Sequence, residues 1–216
     1  MISRVYKQAC KSKKLQEVIV ATDSDKILHH CVNVGINVIM TSDAHESGTD
    51  RVAEVAASKD ADVIINLQGD EPFLPPDHID RLCAIFDQKT VGIGTLLTPI
   101  SERNDFESEH IVKSVIRRDR RALYFSRSGI PFHRNRDFDM PIYRHLGIYG
   151  FRKAVLGELA ALDRGDLERY EMLEQLRWLE AGYDIMTTIV DSTPIGIDVP
   201  DDLNKLLAWM RANDVS

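Results

Sequence analysis

Short, nearly uninterrupted apolar runs, each closing on polar turn residues and each followed by an amphipathic stretch, constrain this chain more than anything else in it. Such runs occupy residues 18–21 (VIVA), 36–40 (INVIM), 62–67 (DVIINL) and 92–97 (GIGTLL). A strand that is apolar on consecutive positions is covered on both faces, which is the habit of parallel strands layered between helices. Helical patterns fill the intervals at residues 26–33, 49–59 and 76–88, and an opening helix carries Ile2, Val5, Tyr6, Ala9 and Cys10 on one face. The predicted fold is therefore α/β, a doubly wound and mostly parallel sheet in one domain spanning residues 1–216. Gly92 and Gly94 fit a strand only where close backbone packing or curvature requires them.

Further strands are predicted at residues 112–116, 122–126, 144–151 and 185–190, the first three forming a β-rich subregion at about 111–151. After Phe151, RKAVLGELAAL reads as a short helix. RYEMLEQLRWLEAG reads as one continuous helix whose apolar face holds Met172, Leu176 and Leu179, and LNKLLAWMRA as a terminal helix.

The chain's 27 Lys and Arg against 34 Asp and Glu give a formal charge of −7, which excludes wrapping of nucleic acid by the surface as a whole. With 44% apolar residues it can bury a core. Cys10, Cys31 and Cys83 form no close metal-binding pair, so a reducing compartment is expected. There is neither a signal-peptide pattern nor a run of about 18 apolar residues, so the expectation is a cytoplasmic protein without membrane insertion.

In open α/β sheets, chemistry collects beyond the C-terminal ends of the strands. The turn NLQGDEP puts Asp70 at such an end, where it could hold Mg²⁺ with phosphate oxygens or simply be a surface acid. Asp198, in PIGIDVPDDL, could share that crevice; a cation would offset the repulsion of two carboxylates, although the segment could equally serve only as a helix start. In HESGTDR, Ser47, Thr49 and backbone N–H groups could bind nucleotide oxygens or cap a helix, and Arg51 could meet an acidic substrate or pair with Glu54. Arg127 in SRSGIP offers a second anion clamp. His145 and Tyr149 in HLGIYG could line a pocket or a core, and Glu174 and Gln175 could read hydroxyl groups or face solvent.

Taken together and in order, SGTDRVAEV, NLQGDEP, ALYFSRSGIP, RHLGIYGF, LEQLRWLEAG and GIDVPDDL resemble the 3-deoxy-D-manno-octulosonate (KDO) cytidylyltransferases along nearly the whole chain. The resemblance implies a nucleotide-diphospho-sugar transferase-like fold and transfer of CMP from CTP to the anomeric hydroxyl of KDO, giving CMP-KDO and pyrophosphate for lipopolysaccharide biosynthesis. By the same resemblance Asp70 and Asp198 are the Mg²⁺ carboxylates. Arg51, Gln68, Arg127, His145, Tyr149, Glu174 and Gln175 shape the sugar pocket, and Ser47, Gly48 and Thr49 belong to the cytidine site. A homodimer is implied too, with residues 144–151 expected near its contact. The resemblance further implies an opening strand and a basic loop of the form IPARxxSxRxPGKP, neither of which occurs in this sequence. Severely impaired catalysis and poor solubility are expected on that account, and a truncated, noncatalytic binding protein is one competing expectation. A cytidylyltransferase for amino-modified KDO or another acidic sugar is the other, since a few pocket contacts decide such a difference.

Overall fold

The structure, a computed structural model, describes residues 1–135, 137 and 140–192. Asp198 and the expected terminal helix lie outside the described residues. The chain begins with α1 (Ile2–Ala9), β1 (Val20–Thr22), α2 (Asp25–Asn33), β2 (Val38–Met40), α3 (Gly48–Ala57), β3 (Val63–Asn66) and α4 (Pro76–Ile85). It continues through β4 (Ile93–Ile100), α5 (Arg103–Glu107), β5 (Lys113–Ile116), β6 (Ala122–Ser126) and β7 (Ile142–Arg152). The last described elements are α6 (Lys153–Ala160), α7 (Asp166–Glu171), α8 (Gln175–Glu180) and β8 (Ile185–Ile189). The expected alternation is thus present, and α5 is an element that the apolar pattern does not announce.

Six strands form one sheet in the order β6-β5-β7-β4-β8, with β3 also on β7, while β1 and β2 form a separate parallel pair. β7 is the organiser. It bonds to β4 along one edge; on the other it meets β5 at Tyr143 and Arg144, then β3 from Tyr149 to Arg152. Because β3 and β4 both run against β7, and β4 runs with β8, the strands β3, β4 and β8 share one direction. β7 and the β5–β6 hairpin are the β-rich insertion among them. Of residues 144–151, expected near a dimer contact, Arg144, His145 and Gly147 are half-buried and the rest buried, and the segment pairs with β4 within the chain.

Alternation along β7 divides the core. Tyr149 and Phe151 join Trp178, Leu156, Ile93 and Ile185 on one face, and Leu146 and Ile148 join Leu96, Leu82, Ile79 and Phe86 on the other. Gly94 and Gly150 face each other across β4 and β7 beneath the Phe86 ring. A Cβ at Gly150 would overlap that ring, so the ring packs there because the side chain is missing, while one at Gly94, 3.2 Å from the ring, would push it by a few tenths of an ångström.

The continuous helix expected over RYEMLEQLRWLEAG is in fact two. Met172 adopts a left-handed conformation (φ 54°) and is 74% exposed, not on an apolar face, whereas Leu176 is fully buried on α8. A non-glycine residue in this region is costly, so long-range contacts must hold it there.

The β1–β2 pair is joined to the large sheet through helices. α3 packs against both β1 and β3, which are not bonded to each other. Between them lies a cleft of about 770 Å³ with an apolar wall that includes Ile19, Val52, Val55 and Ile65 and a charged rim that includes Glu17 and Lys59.

Candidate active site

The candidate site is a polar seam between the start of α3, the start of α8 and the β4–β7 ladder. Ser47 caps α3 by accepting from the Asp50 backbone N–H at 3.1 Å, which leaves Gly48 against Asn66 and drives Thr49 inward. Buried Thr49 donates from Oγ1 to Glu174 Oε2 at 2.7 Å. The α7–α8 break turns Glu174 toward that hydroxyl. Capping and site formation, posed as alternatives for Ser47 by the sequence, are one arrangement.

Burial raises the Glu174 carboxyl above its ordinary pKa, an effect opposed by hydrogen bonds from Thr49 and Ser47 and by the Arg177 guanidinium. Tyr149, on β7, feels the same carboxylate; burial and that charge together push its phenol well above the usual value. Beyond it, His145 Nε2 lies 3.0 Å from Thr95 Oγ1, with its ring edge-on to Phe125 and 5.3 Å from the Tyr149 ring. Desolvation drives the imidazole pKa down to about 3, so His145 is neutral near pH 7 and offers a hydrogen-bonding group instead of a charge. The seam holds polar atoms with no hydrogen-bond partner: Tyr149 Oη, Glu174 Oε1 and, from α8, Trp178 Nε1. Each such buried atom costs about 1–3 kcal/mol. Gathered in one place, they make the seam polar where the neighbouring core is apolar.

Other expected residues take different positions. Exposed Gln68 reaches Gly147 O at only 3.4 Å, beside the seam. Asp70 sits on the turn just after β3, as the sequence suggested, and Gln175 is 5% exposed at the start of α8. Arg51 does not pair with Glu54. It donates to Asp23 Oδ2 at 2.7 Å and to Thr41 Oγ1 at 2.5 Å, tying α3 to the β1–β2 pair, and holds the Asp23 carboxyl below its ordinary range. Glu54 is taken by His45 and the Ser42 N–H. Arg127 donates to the carbonyls of Glu171 (2.8 Å), Glu109 (3.1 Å) and Met172 (3.4 Å). In this state it braces the α7–α8 turn, and a substrate anion would compete with those carbonyls.

Two contributors were not foreseen. Glu171 accepts from Ser126 Oγ at 2.6 Å and from the Arg127 N–H at 2.9 Å, and Lys113 is fully buried beneath them. A lysine inside the apolar VKSVI run was the one available signal for the second.

Asp70 fits a Mg²⁺ role in donor type: a hard carboxylate oxygen at the mouth of the sheet. Mg²⁺ bound through one or two carboxylates plus substrate phosphates needs no protein triad, and among the described residues no group of three or more His, Cys, Asp or Glu is placed to hold a metal.

Comparison with known proteins places the chain in a family. A family profile described as cytidylyltransferase matches residues 1–185. The 3-deoxy-manno-octulosonate cytidylyltransferase of Koribacter versatilis is 42% identical over 214 residues, covering 99% of this chain and 81% of that protein. The enzyme of the same description from Bacteroides thetaiotaomicron is 43% identical over 221 residues, covering 98% and 88%. Among solved structures, CMP:2-keto-3-deoxy-manno-octonic acid synthetase complexed with CTP superposes with a TM-score of 0.93 at 38% identity, covering 98% of this chain and 88% of that one. The 4-diphosphocytidyl-2C-methyl-D-erythritol synthase of Anaerococcus prevotii, at 14% identity and a TM-score of 0.59, shares the fold alone.

Proposed function

This chain belongs to the 3-deoxy-manno-octulosonate cytidylyltransferases, and on that premise we propose how its own residues serve the transfer of CMP from CTP to KDO. In that reaction the anomeric oxygen of KDO bonds to the α-phosphorus of CTP while the bond from that phosphorus to the pyrophosphate oxygen breaks, giving CMP-KDO and pyrophosphate. The observation that carries the reading is similarity at about two-fifths identity over essentially the whole chain to enzymes of this one activity.

The start of α3 is the nucleotide side of the site. Its first backbone N–H groups and the Ser47–Thr49 hydroxyls suit the polar groups of cytidine. The sugar acid lies along Glu174, Tyr149, His145 and Gln68. Glu174 and the Tyr149 phenol meet its hydroxyls, and neutral His145 donates or accepts without adding charge, which favours selecting the substrate over removing its proton. Arg51 and Arg127, both near the turns that frame the seam, supply positive charge for the carboxylate. Asp70 and Asp198 would hold Mg²⁺, which when bound polarises the α-phosphate and lowers the repulsion between two anionic substrates. Binding energy from the sugar hydroxyls is then available to align the attacking oxygen with phosphorus.

This reading includes a homodimer and a cytoplasmic site of action, supplying activated KDO for lipopolysaccharide synthesis. Among the described residues no helix is long and apolar enough to cross a membrane, and all three cysteines are free. Incubation of the protein with CTP, KDO and Mg²⁺, followed by mass-spectrometric identification, should give CMP-KDO and pyrophosphate in equal amounts. A different CMP-sugar formed preferentially from amino-modified KDO would reassign the sugar, and CTP binding without product would favour the noncatalytic role. Light scattering across a concentration series checks the dimer.

A further inference from the structure

Lys113 opens β5, opposite Ser126 on β6 and Arg144 on β7, and its side chain is fully buried. Its ammonium donates to the carbonyl oxygens of Ser108 at 2.7 Å, Ile111 at 2.6 Å and Arg127. Three donors meet three acceptors, the whole capacity of an ammonium. A charge withdrawn from water is costly unless it is fully bonded, and a fully bonded one rigidifies what it bonds to. Here that is the strand end from which the Arg127 side chain leaves.

The connection continues without a gap. Glu171 accepts from Ser126 Oγ and the Arg127 N–H, while the Arg127 side chain donates back to the carbonyls of Glu171 and Met172. Those two carbonyls flank the left-handed turn that separates α7 from α8. Two residues beyond Met172 stands Glu174, bonded to Thr49 and facing Tyr149. Burial lowers the Lys113 pKa and the Glu171 carboxylate opposes that shift, which places the two groups in one electrostatic unit.

We propose that Lys113 is a positioning residue for the sugar pocket: by fixing the Arg127 carbonyl it sets the Glu171–Met172 turn, and through that turn the direction from which Glu174 enters the seam. What the pocket holds rests on the cytidylyltransferase reading; the bonded path from Lys113 to the turn does not. Lys113 itself touches no reacting atom.

Lys113→Met keeps the aliphatic length and removes the ammonium. Lys113→Arg keeps the charge but replaces a pyramidal set of donors with a planar fork that cannot reach all three carbonyls. Calorimetry would measure KDO and CTP binding separately for the wild-type protein and both variants, and hydrogen exchange would follow residues 168–174. The expected result is KDO affinity weakened by about tenfold or more in Lys113→Met and by less in Lys113→Arg, with CTP affinity changed by no more than about threefold. Faster exchange is expected in residues 168–174 and unchanged exchange in β4. A lesion that merely loosens the fold would reduce both affinities together and speed exchange throughout. If Lys113→Met does not fold, Lys113→Arg decides. Folded variants that bind KDO as the wild type does, or that leave residues 168–174 protected, would overturn the proposal. A wild-type protein that binds no KDO would sink the assignment of the pocket instead, while exchange in residues 168–174 still tests the positioning.

Discussion

β7 is hydrogen-bonded along both edges, whereas β1 is bonded among the described residues along one edge to β2 and otherwise leans on α2 and α3. Both are strands legible in the sequence, yet they are stabilised by different physics. Around β7 the ladder hydrogen bonds and two packed cores reinforce each other. At β1 and β2, which have three residues each, the small cluster of Val20, Cys31 and Ile36 must hold the pair with help from Arg51 on Asp23 and Thr41. Side chains of similar size should therefore matter differently in the two regions. The seam is built on the well-held sheet, and Arg51 reaches across to the other.

The largest expected effect is at Phe151. It is fully buried, stacks on Tyr149 and meets the Trp178 ring edge-on at 5.4 Å. Phe151→Ala should cost about 3–5 kcal/mol in chemical denaturation. Val20→Ala removes only two methyl groups and should cost about 1–2 kcal/mol; the like-for-like contrast is Ile148→Val on β7 against Ile36→Val before β2, both buried, with the first the costlier within a range of about 0.5–1.5 kcal/mol. Equal costs would mean that the two sheets share one cooperative core.

Nearly as large is the effect of parting Arg177 from Glu168, a buried pair bonded twice, at 2.6 and 2.7 Å. Arg177→Met leaves the Glu168 carboxylate without that partner and should cost about 3 kcal/mol or more in the same denaturation. Because Arg177 also favours the charged form of Glu174, KDO binding should weaken as well. The corresponding tie on the other side, Arg51 to Asp23, involves a carboxylate with its side chain 42% exposed, and Asp23→Asn should change stability by no more than about 1 kcal/mol.

The next effect appears only in acid. His145 titrates near 6.5 when unfolded and near 3 when folded, so between those values the unfolded chain binds the extra proton. Its contribution to stability is complete above about pH 6.5 and is lost as pH falls toward about 3. Glu174 has the opposite sign: its raised pKa favours the folded state at low pH, and that contribution shrinks as pH rises through the raised value. In thermal melts, His145→Gln should flatten the decline of Tm with acid. An unchanged decline would show that other carboxylates control it.

Local periodicity made the strands and most helices legible, because it records which faces are covered. The break at Met172 was not legible: no Gly or Pro interrupts the stretch from Arg169 to Ala181, which reads as a helix with one apolar face, and bonds that hold the break come from Arg127, more than forty positions away. The pairing of Arg51 with Asp23 was hidden for the same reason, since Glu54 is the nearer carboxylate in sequence and has its own partner in His45. At the site, individual motifs left both capping, the simpler reading, and chemistry open for Ser47 and Thr49. The ordered set of motifs pointed to the activity, and only the three-dimensional arrangement showed that Thr49, Glu174, Tyr149 and His145 form one seam.

The most delicate test of the contrast is amide exchange. The Val20 N–H donates to Asn37 O and the Thr41 N–H to Thr22 O, each at 2.9 Å, and these bonds close a sheet with no third strand among the described residues. Opening that pair exposes only the small cluster on α2 and the cleft wall, so it requires less free energy than global unfolding. The Val20 and Thr41 amides should thus exchange through local opening while the amides of β4, bonded to β7 and β8, exchange only when the whole domain unfolds. Val20→Ala should speed the first group by a factor of about 5–30 and leave the second governed by the global stability alone. If both groups respond together, α3 couples the sheets tightly enough for strain at β1 to reach Thr49; if they separate, the sugar side of the seam is mechanically independent of the β1–β2 pair.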